Sequence, residues 1–308
     1  MQMKGLAVEK GRAEEVRKAL LEKGKLVKGL KPLREGGRIV FPITSSISGQ
    51  GEELEREFEK RPFLRGVNIK IPLDFIGDIA VVKDMLSKEE LGSLLSKPNV
   101  RTVLLNRGIK GGHRVMGLEW LGGDVKYDTF HRENGLTFYI DLRKAYFNPR
   151  LSTERARVTD LVKDGEAVID MFSGIGPFSL NIASKKKALI YAVDKNPWAV
   201  KLMKRNIELN SKRLAGEIIP INEDAMDVKL KGDRVIMNLP FHSLDFLDAA
   251  LSFLEGKGHI HLYSIFERGE EKQTIRKIEE KTEKFKCELV KGKDYSATKV
   301  IGFFDLEG

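Results

Sequence analysis

The stretch Asp170-Met-Phe-Ser-Gly174-Ile-Gly176-Pro-Phe178 decides the fold of this chain. Just before it, the apolar run Ala167–Met171 predicts a buried strand, and just after it the sequence from Pro177 to Ser184 predicts a helix. Glycines allow the backbone to turn tightly where a strand ends and a helix begins. A strand, a glycine turn and a helix in this order are typical of an α/β sheet, with a ligand site at the turn.

The same alternation of strands and helices continues along the chain. Strands are predicted at Leu189–Val193, Glu217–Ile221, Arg234–Asn238 and His259–Ser264. A helix is predicted over Pro197–Asn210, and another over Thr153–Val162 leads into the first strand. Strands that alternate with helices of about ten residues indicate a mostly parallel, doubly wound sheet, an α/β class of Rossmann-like topology.

The glycine turn does not fit a dinucleotide or a phosphate loop. A dinucleotide fingerprint needs a third glycine where this chain has Ser179. Pro177 favours the start of a helix but has no backbone N–H to offer a phosphate. We therefore expect a ligand without a pyrophosphate.

Polar residues follow the next three predicted strands. Asp194 ends the second strand, where an acid can accept hydrogen bonds from ribose hydroxyls, and Asp224 ends the third. Asn238-Leu-Pro-Phe241 ends the fourth strand. Taken singly, each glycine is more often explained as a tight turn and each acid as a helix N-cap than as a ligand contact. The four signals in this order resemble the class I S-adenosylmethionine-dependent methyltransferases.

Upstream of this domain the sequence predicts two smaller α/β units. We place an N-terminal domain at 1–61, a middle domain at 62–151 and the methyltransferase domain at 152–308, with a soft boundary near Arg61-Pro62. Residues Ser45–Glu59 are polar and predict a linker or an exposed helix. A strand is predicted at Val103–Leu105, and it leads into the basic, glycine-rich stretch Arg107–Arg114, which ends in a loop from Lys110. The charged strip Lys272–Lys293 is interpreted as helical surface.

Composition excludes several classes of protein. The 308 residues lack an apolar run of the roughly 20 residues that cross a bilayer, so no membrane partner is expected. Neither does the start, MQMKGLAVEK, resemble a signal peptide. Cys287 is the single cysteine, which favours a reducing, cytoplasmic location and leaves no cysteine-based metal site. The five histidines are spread along the chain, and we predict no metal.

The net charge of +9 is unevenly distributed. Residues 1–38 carry eleven basic and five acidic side chains, and residues 101–157 carry eleven and six. A nucleic acid partner would explain this pattern, and so would a basic surface without one. Trp120 and Trp198 are candidates for stacking on bases, but burial in the core is the favoured interpretation of both.

A second motif identifies a narrower resemblance. Tyr146-Phe-Asn-Pro-Arg150-Leu-Ser-Thr-Glu154-Arg155 precedes the methyltransferase domain, and Asp194-Lys-Asn-Pro-Trp198 lies within it. Together with the glycine turn and Asn-Leu-Pro-Phe, they resemble the archaeal and eukaryotic type of tRNA (guanine-N1) methyltransferase. The resemblance implies methylation of guanosine 37, next to the anticodon, with tRNA and S-adenosylmethionine as partners. Over residues 1–60 it rests on the domain plan alone.

The resemblance also assigns roles to residues of this chain. Glu154 matches the carboxylate that takes the N1 proton, Arg114 the arginine placed against O6, and Asn238 the asparagine that closes the site. Residues implied in cofactor binding are Tyr146, Arg155, Asp170, Phe172, Gly174, Gly176, Asp194, Lys195, Asp224, Ala225 and Asn238. Residues implied in substrate binding are Arg114, Arg150, Pro240 and Phe241. Ser173 and Phe241 depart from the family, where alanine and tyrosine are frequent.

Other interpretations stay open at this point. Glu154 is also explained as a first-turn residue of a helix or as a partner of Arg157, and Arg114 as a solvated loop cation. A wyosine-pathway enzyme is the runner-up, through aminocarboxypropyl transfer or methylation of a tricyclic intermediate as well as guanosine. A non-catalytic RNA-binding relative is the alternative from another class. We expect a monomer.

Overall fold

The structure, a computed structural model, describes residues 2–27, 30–45, 47, 49–59, 69, 71–111, 115–254 and 257–308. Within these residues lie four β-sheets and seven α-helices. The boundary predicted near Arg61-Pro62 lies outside the described residues, and so does Arg114. None of the helices in the described ranges has the length and apolar character required to cross a membrane.

The first sheet has four antiparallel strands in the order β2-β3-β1-β4. They are β1 (Gln2–Glu9), β2 (Leu33–Glu35), β3 (Arg38–Pro42) and β4 (Glu52–Glu57). Helix α1 (Ala13–Glu22) covers one face, where Val16 and Leu20 are buried against Leu6 and Phe41. Its apolar residues recur at helical spacing, which explains why this short segment packs as a helix.

Strand β4 corrects a prediction. The sequence predicted a linker or an exposed helix over Ser45–Glu59, but residues 52–57 pair with β1. The segment EELERE has five charged residues and one apolar residue, Leu54, which is half-buried. Because β4 is an edge strand, its charged side chains stay in water while its backbone pairs with the sheet. With five charged residues in six, the segment has no apolar alternation from which a strand could be predicted.

The second sheet, in the order β5-β6-β7-β8, combines parallel and antiparallel pairs. Its elements, with the helix that connects them, are β5 (Leu73–Ile76), β6 (Ile79–Val82), α2 (Lys88–Leu95), β7 (Thr102–Lys110) and β8 (Val115–Gly123). Helix α2 starts at Ser87, which forms a capping box with Glu90. The strand predicted at Val103–Leu105 is longer than predicted, because β7 extends to Lys110.

A seven-stranded sheet forms the largest unit, in the order β13-β12-β11-β14-β15-β17-β16. Its strands are β11 (Ala167–Asp170), β12 (Leu189–Val193), β13 (Glu217–Ile221), β14 (Arg234–Met237), β15 (His259–Glu267), β16 (Lys286–Asp294) and β17 (Lys299–Glu307). The first five pair in parallel, whereas β17 and β16 are antiparallel to their neighbours. The predicted parallel, doubly wound sheet is confirmed.

Helices cover both faces of this sheet. They are α3 (Ser152–Leu161), α4 (Pro177–Lys185), α5 (Pro197–Asn210), α6 (Leu247–Phe253) and α7 (Glu271–Thr282). Val158, Ile182 and Ile190 share one core, which places α3 and α4 on one face, and Phe253 and Ile278 place α6 and α7 on the other. The strip predicted as helical surface is a helix only to Thr282, after which the chain becomes β16.

A hairpin, β9 (Asp128–Glu133) and β10 (Leu136–Asp141), packs against α5. The Asn206 Oδ1 atom accepts from the Tyr139 backbone N–H at 2.7 Å, and Asn210 Oδ1 accepts from that of Thr137 at 3.0 Å. These bonds join the end of the predicted middle domain to α5, one of the helices that cover the seven-stranded sheet. The division at 151 and 152 stays a prediction.

Candidate active site

The glycine turn joins β11 to α4 at the carboxyl edge of the seven-stranded sheet. Gly174 and Gly176 have φ of +56° and +84°, in the left-handed region that favours glycine. A Cβ on Gly176 would lie 2.6 Å from Leu180 Cδ1 and 2.9 Å from Met203 Cγ, so packing also excludes a side chain. A Cβ on Gly174 would meet only the Tyr146 carbonyl oxygen, at 3.9 Å. Gly174 thus leaves its backbone open to a ligand.

Asp194 is tied directly to this turn. Its Oδ2 accepts from the Gly174 N–H at 2.7 Å, and its Oδ1 accepts from the Asn196 N–H at 2.8 Å. Asn196 in turn caps α5 by accepting from the Trp198 N–H at 3.1 Å. The N-cap role is therefore taken by Asn196, and Asp194 links the ends of β11 and β12.

The end of β13 lies beside Asp194. Asp224 accepts from the Met226 N–H at 3.1 Å, and its carboxylate lies 3.7 Å from the ammonium of Lys195. Ala225 is buried, and Asn222 donates to the Asp194 carbonyl at 2.9 Å. Three consecutive strand ends predicted from the sequence are thus brought to one edge of the sheet.

Asp170 lies beneath the turn in an unusual state. Its side chain is fully buried, its Oδ2 accepts from the Ser179 hydroxyl at 2.8 Å, and its Oδ1 has no partner among the described residues. Burial, with a smaller contribution from the charge of Asp194, raises the pKa of Asp170 to about 7, although hydrogen bonds from the Ser179 hydroxyl and from the backbone of Ser179 and Phe172 oppose the shift. A buried oxygen without a partner is costly unless a bound group satisfies it. The turn therefore fits a ligand that brings a donor or a positive charge.

The segment after β14 forms the other wall of this edge. Asn238 and Pro240 are half-buried, and the Pro240 carbonyl accepts from the Ile265 N–H at 3.0 Å. Phe241 is exposed and meets Tyr295 edge to face, with ring centroids 5.4 Å apart. Tyr295 belongs to the turn between β16 and β17, and the sequence analysis missed it. Phe172 packs edge to face on Phe246, at 4.9 Å.

The motif from Tyr146 to Arg155 is divided between surface and interior. Tyr146 is exposed, and Arg150 pairs with Asp74 at the surface. Arg155 is buried and donates to both carboxylate oxygens of Glu133, at 2.6 and 2.5 Å. Its predicted contact with a cofactor stays a prediction, because this pair joins α3 to β9.

Glu154, the predicted general base, is buried on the sheet face of α3. Its Oε1 accepts from Tyr263 at 2.9 Å and from Arg157 Nη2 at 2.8 Å, and its Oε2 accepts from Arg157 Nε at 3.0 Å. Tyr263 follows Leu262, the register partner of Met237. Glu154 is thus held level with Asn238, while Arg114 lies outside the described residues.

Several of these partners carry no signal in the sequence. Glu133 lies 22 residues before Arg155, and Tyr263 lies 109 residues after Glu154. Only the Arg157 pairing, three residues along the helix, followed from spacing. Within the described ranges, no three His, Cys, Asp or Glu side chains converge as metal ligands.

Comparisons with known proteins identify the family of this chain. The family described as TRM5/TYW2 methyltransferase domain matches residues 129–290, and the tRNA methyltransferase 5 N-terminal domain matches residues 5–51. The tRNA (guanine(37)-N(1))-methyltransferase Trm5b of Pyrococcus abyssi is 36% identical over 277 residues, 83% of this chain and 82% of that protein.

A solved structure, the complex of aTrm5 and tRNALeu, is similar over 98% of this chain and 99% of that one, with a TM-score of 0.68 and 32% identity. The tRNA(Phe) (4-demethylwyosine(37)-C(7)) aminocarboxypropyltransferase of Methanocaldococcus jannaschii is 33% identical over 230 residues. That match covers 73% of this chain and 90% of that protein.

Proposed function

Because this chain belongs to the TRM5/TYW2 methyltransferase family, we propose that it methylates N1 of guanosine 37 in tRNA, with S-adenosylmethionine as the methyl donor. One observation carries the choice of reaction. The chain matches the tRNA methyltransferase 5 N-terminal domain over 5–51, in addition to the methyltransferase domain.

The share of the chain that each relative covers also favours the methyltransferase reaction over the wyosine-pathway reaction. The Trm5b relative covers 83% of this chain, whereas the aminocarboxypropyltransferase covers 73%. A wyosine-pathway activity would use the same strand-end residues, so it remains the second candidate. A non-catalytic relative is disfavoured because Gly174, Asp194, Asp224 and Asn238 all stand at one sheet edge, where catalysis needs them.

The residues of the turn fit S-adenosylmethionine. Gly174 has room beside its backbone, and Asp194 and Asp224 lie at the ends of neighbouring strands. We assign Asp194 to the ribose hydroxyls, and Asp224 with Ala225 to the adenine. The orphaned Oδ1 of Asp170 suits a donor on the ligand's amino acid part. When bound, this cofactor supplies an electrophilic methyl group on a sulfonium.

The protein's own residues would then supply alignment and proton removal. Guanine N1 carries a proton and is a poor nucleophile, so a base must take that proton, a role we give to Glu154. The negative charge spreads to O6, where the guanidinium of Arg114 would stabilise it. Asn238, Pro240 and Phe241 would hold the base, and Arg150 would contact the tRNA beside it.

A transfer assay tests the proposal. The full chain is mixed with methyl-labelled S-adenosylmethionine and unmodified tRNA bearing guanosine 37, and the modified nucleoside is identified by mass spectrometry. We expect 1-methylguanosine, and none with a matched tRNA carrying adenosine 37. An unlabelled tRNA, or an aminocarboxypropyl product, would overturn the proposal.

The assembly and the location are part of the same proposal. We propose a monomer that acts in the cytoplasm, where tRNA is the substrate. Cys287 is buried and unpaired as a disulfide, which suits a reducing compartment. Light scattering of the purified chain, alone and with tRNA, tests the monomer.

A further inference from the structure

A chain of hydrogen-bonded polar and charged groups, buried or partly buried, runs along the face of the seven-stranded sheet from the predicted base. We call it the Glu154 network; its members are Glu154 and Arg157 on α3, His261 and Tyr263 on β15, Asp305 on β17, Arg234 on β14, and Glu166. Only Glu154 among them was given a role in the reaction. The arrangement of the others around it therefore needs an explanation.

Arg157 is shared between two carboxylates. Its Nε and Nη2 donate to Glu154 at 3.0 and 2.8 Å. Its Nη1 and Nη2 donate to Asp305 at 2.6 and 3.0 Å. All three nitrogens of one guanidinium are thus divided between the base and a second acid.

Asp305 stays ionised whatever Glu154 does. It also accepts from His261 Nδ1, at 2.7 Å. Although burial raises it, the hydrogen bonds from His261 and Arg157 hold the pKa of Asp305 well below its usual value. Burial lowers the pKa of His261, and the hydrogen bond to Asp305 opposes this shift.

The oxygen that remains able to take a proton on Glu154 can be identified. Oε1 accepts two hydrogen bonds, from Arg157 and Tyr263, whereas Oε2 accepts one, from Arg157. A carboxylate oxygen has two lone pairs, so Oε2 keeps one that these bonds do not use. Burial raises the pKa of Tyr263 well above its usual value, so the phenol remains a donor.

Protonation of a buried carboxylate normally leaves its cation unpaired, which is strongly unfavourable. Here the guanidinium of Arg157 would still be paired with Asp305. Lys293, on β16, is the further cation near Glu154; its ammonium donates to the Arg150 carbonyl at 3.0 Å. Burial lowers the pKa of Lys293, and neighbouring Lys291 lowers it further.

We propose that Asp305 is a positioning residue that acts through Arg157, letting Glu154 alternate between its ionised and protonated forms during methyl transfer. This rests on the proposed function, in which Glu154 is the base. In the step concerned, the N1–H bond of guanine breaks and an O–H bond forms at Oε2. The electron pair of that bond stays on guanine N1 and forms the bond to the methyl carbon, while the bond from that carbon to the cofactor's sulfur would break and leave its electron pair on sulfur. The proton on Oε2 later leaves to solvent.

The test is the pH profile of single-turnover methyl transfer, with tRNA and cofactor at saturation. In D305N the whole charge of Arg157 acts on Glu154 and stabilises its ionised form. The acid limb of the profile, in which the rate falls as the pH decreases, should therefore move to lower pH by about one unit. The plateau rate should fall roughly tenfold, because the base is weaker. In R157Q the acid limb should move the opposite way, to higher pH.

Controls separate this role from a structural one. D305E restores a carboxylate and should recover most of the plateau rate. D78N makes the same exchange at a half-buried pair with Lys126, at 2.9 Å in another sheet, and should leave the profile unchanged. Melting temperature and cofactor affinity are measured for each variant. If R157Q does not fold, the comparison of the pH profiles of D305N and D305E tests the proposal.

Each result has a definite meaning. Acid limbs displaced in opposite directions support the proposal, as does displacement in D305N with recovery in D305E. The proposal would be overturned if D305N and R157Q lost rate equally with no shift of their acid limbs. It would also be overturned if both variants shifted the acid limb in the same direction. Failure of the proposed function would look different, because the wild-type protein itself would then form no 1-methylguanosine.

Discussion

One ion pair of the N-terminal sheet and one ion pair between α3 and β9 lie at different depths. Arg56 and Glu35, at 3.0 Å, keep 42% and 44% of their side chains exposed, whereas Arg155 and Glu133 keep 1% and 2%. Exposed pairs contribute little to stability and remain open to water and ions. Buried pairs are costly to break, because the remaining charge has no solvent.

This difference changes how the basic residues of the sequence are interpreted. Both regions of excess charge, 1–38 and 101–157, suggested a polyanion partner. In the second region, however, Arg155 and Arg157 serve buried carboxylates, and Arg107 pairs with Glu119. The N-terminal region, with its surface cations, is the better candidate for contact with tRNA.

The largest expected effect concerns the buried acid with a proposed chemical role. E154Q should lower the rate of methyl transfer by about 10²–10⁴-fold, because an amide cannot take the N1 proton. Single-turnover assays measure the rate, and calorimetry and filter binding measure cofactor and tRNA affinity, which should be retained. Unaltered turnover would remove Glu154 from the mechanism.

The next prediction tests whether the burial of an ion pair determines how much it contributes to stability. E133Q leaves Arg155 without its charged partner in the interior, and the free energy of unfolding should fall by about 3–5 kcal/mol. The matched control is E35Q, which breaks the exposed pair with Arg56 and should cost less than about 1 kcal/mol. Denaturant unfolding followed by circular dichroism measures both. Similar losses would show that depth does not govern these pairs.

A buried carboxyl without a cation gives an effect that depends on pH. Burial raises the pKa of Asp170 from 3.8 to about 7, so between those values the folded state holds a proton that the unfolded chain releases. The free energy of unfolding should therefore fall as the pH rises through this window, by up to about 1.4 kcal/mol per pH unit.

In D170N this component of the pH dependence should disappear, and the variant should be the more stable protein above pH 7. Denaturant unfolding without cofactor, repeated at intervals across the window, provides the measurement. Wild-type and variant profiles of equal slope would contradict the assigned protonation.

The smallest effect should come from the exposed cations of the N-terminal sheet and its helix. Replacing Lys10, Lys18 and Lys23 by glutamine should weaken tRNA binding. The plot of log affinity against log salt concentration should become shallower, by up to about 0.9 for each phosphate that the variant no longer neutralises. Filter binding over a range of salt concentrations measures the slope.

Three lysines in the C-terminal part of the chain serve as the matched control. Lys272, Lys277 and Lys284 are also exposed, but they lie on or just after α7. Their replacement by glutamine should leave the salt slope unchanged, and neither triple should alter cofactor affinity. Equal slopes for both triples would remove the N-terminal region as a specific contact.

The helices and strands of the large sheet were predictable from the sequence because their signals are local. Helix α5 spans Pro197–Asn210 as predicted, since Asn196 caps it, Pro197 fits its first position, and apolar residues repeat behind them. Strand β4 was not predictable in this way, because an edge strand with one apolar residue has no apolar alternation to detect.

The candidate site was predictable only at its strand ends. Asp194 and Asp224 follow strands directly, so topology alone brings them to one edge. Asp305 reaches Arg157 across 148 residues of chain, and no spacing rule relates them. Glu133, Tyr263 and Tyr295 were missed for the same reason. Long-range pairs require the strand order, which the sequence does not state.

Strand order also has a consequence for biosynthesis. β17 follows β16 along the chain but lies between β15 and β16 in the sheet, and it carries Asp305. During synthesis on the ribosome, β16 therefore cannot join this sheet, and Arg157 cannot pair with Asp305, until residues 299–307 have emerged. A frameshift upstream of them would remove an interior strand and leave Arg157 with one carboxylate, so loss of nine residues would disable the molecule more than its size suggests.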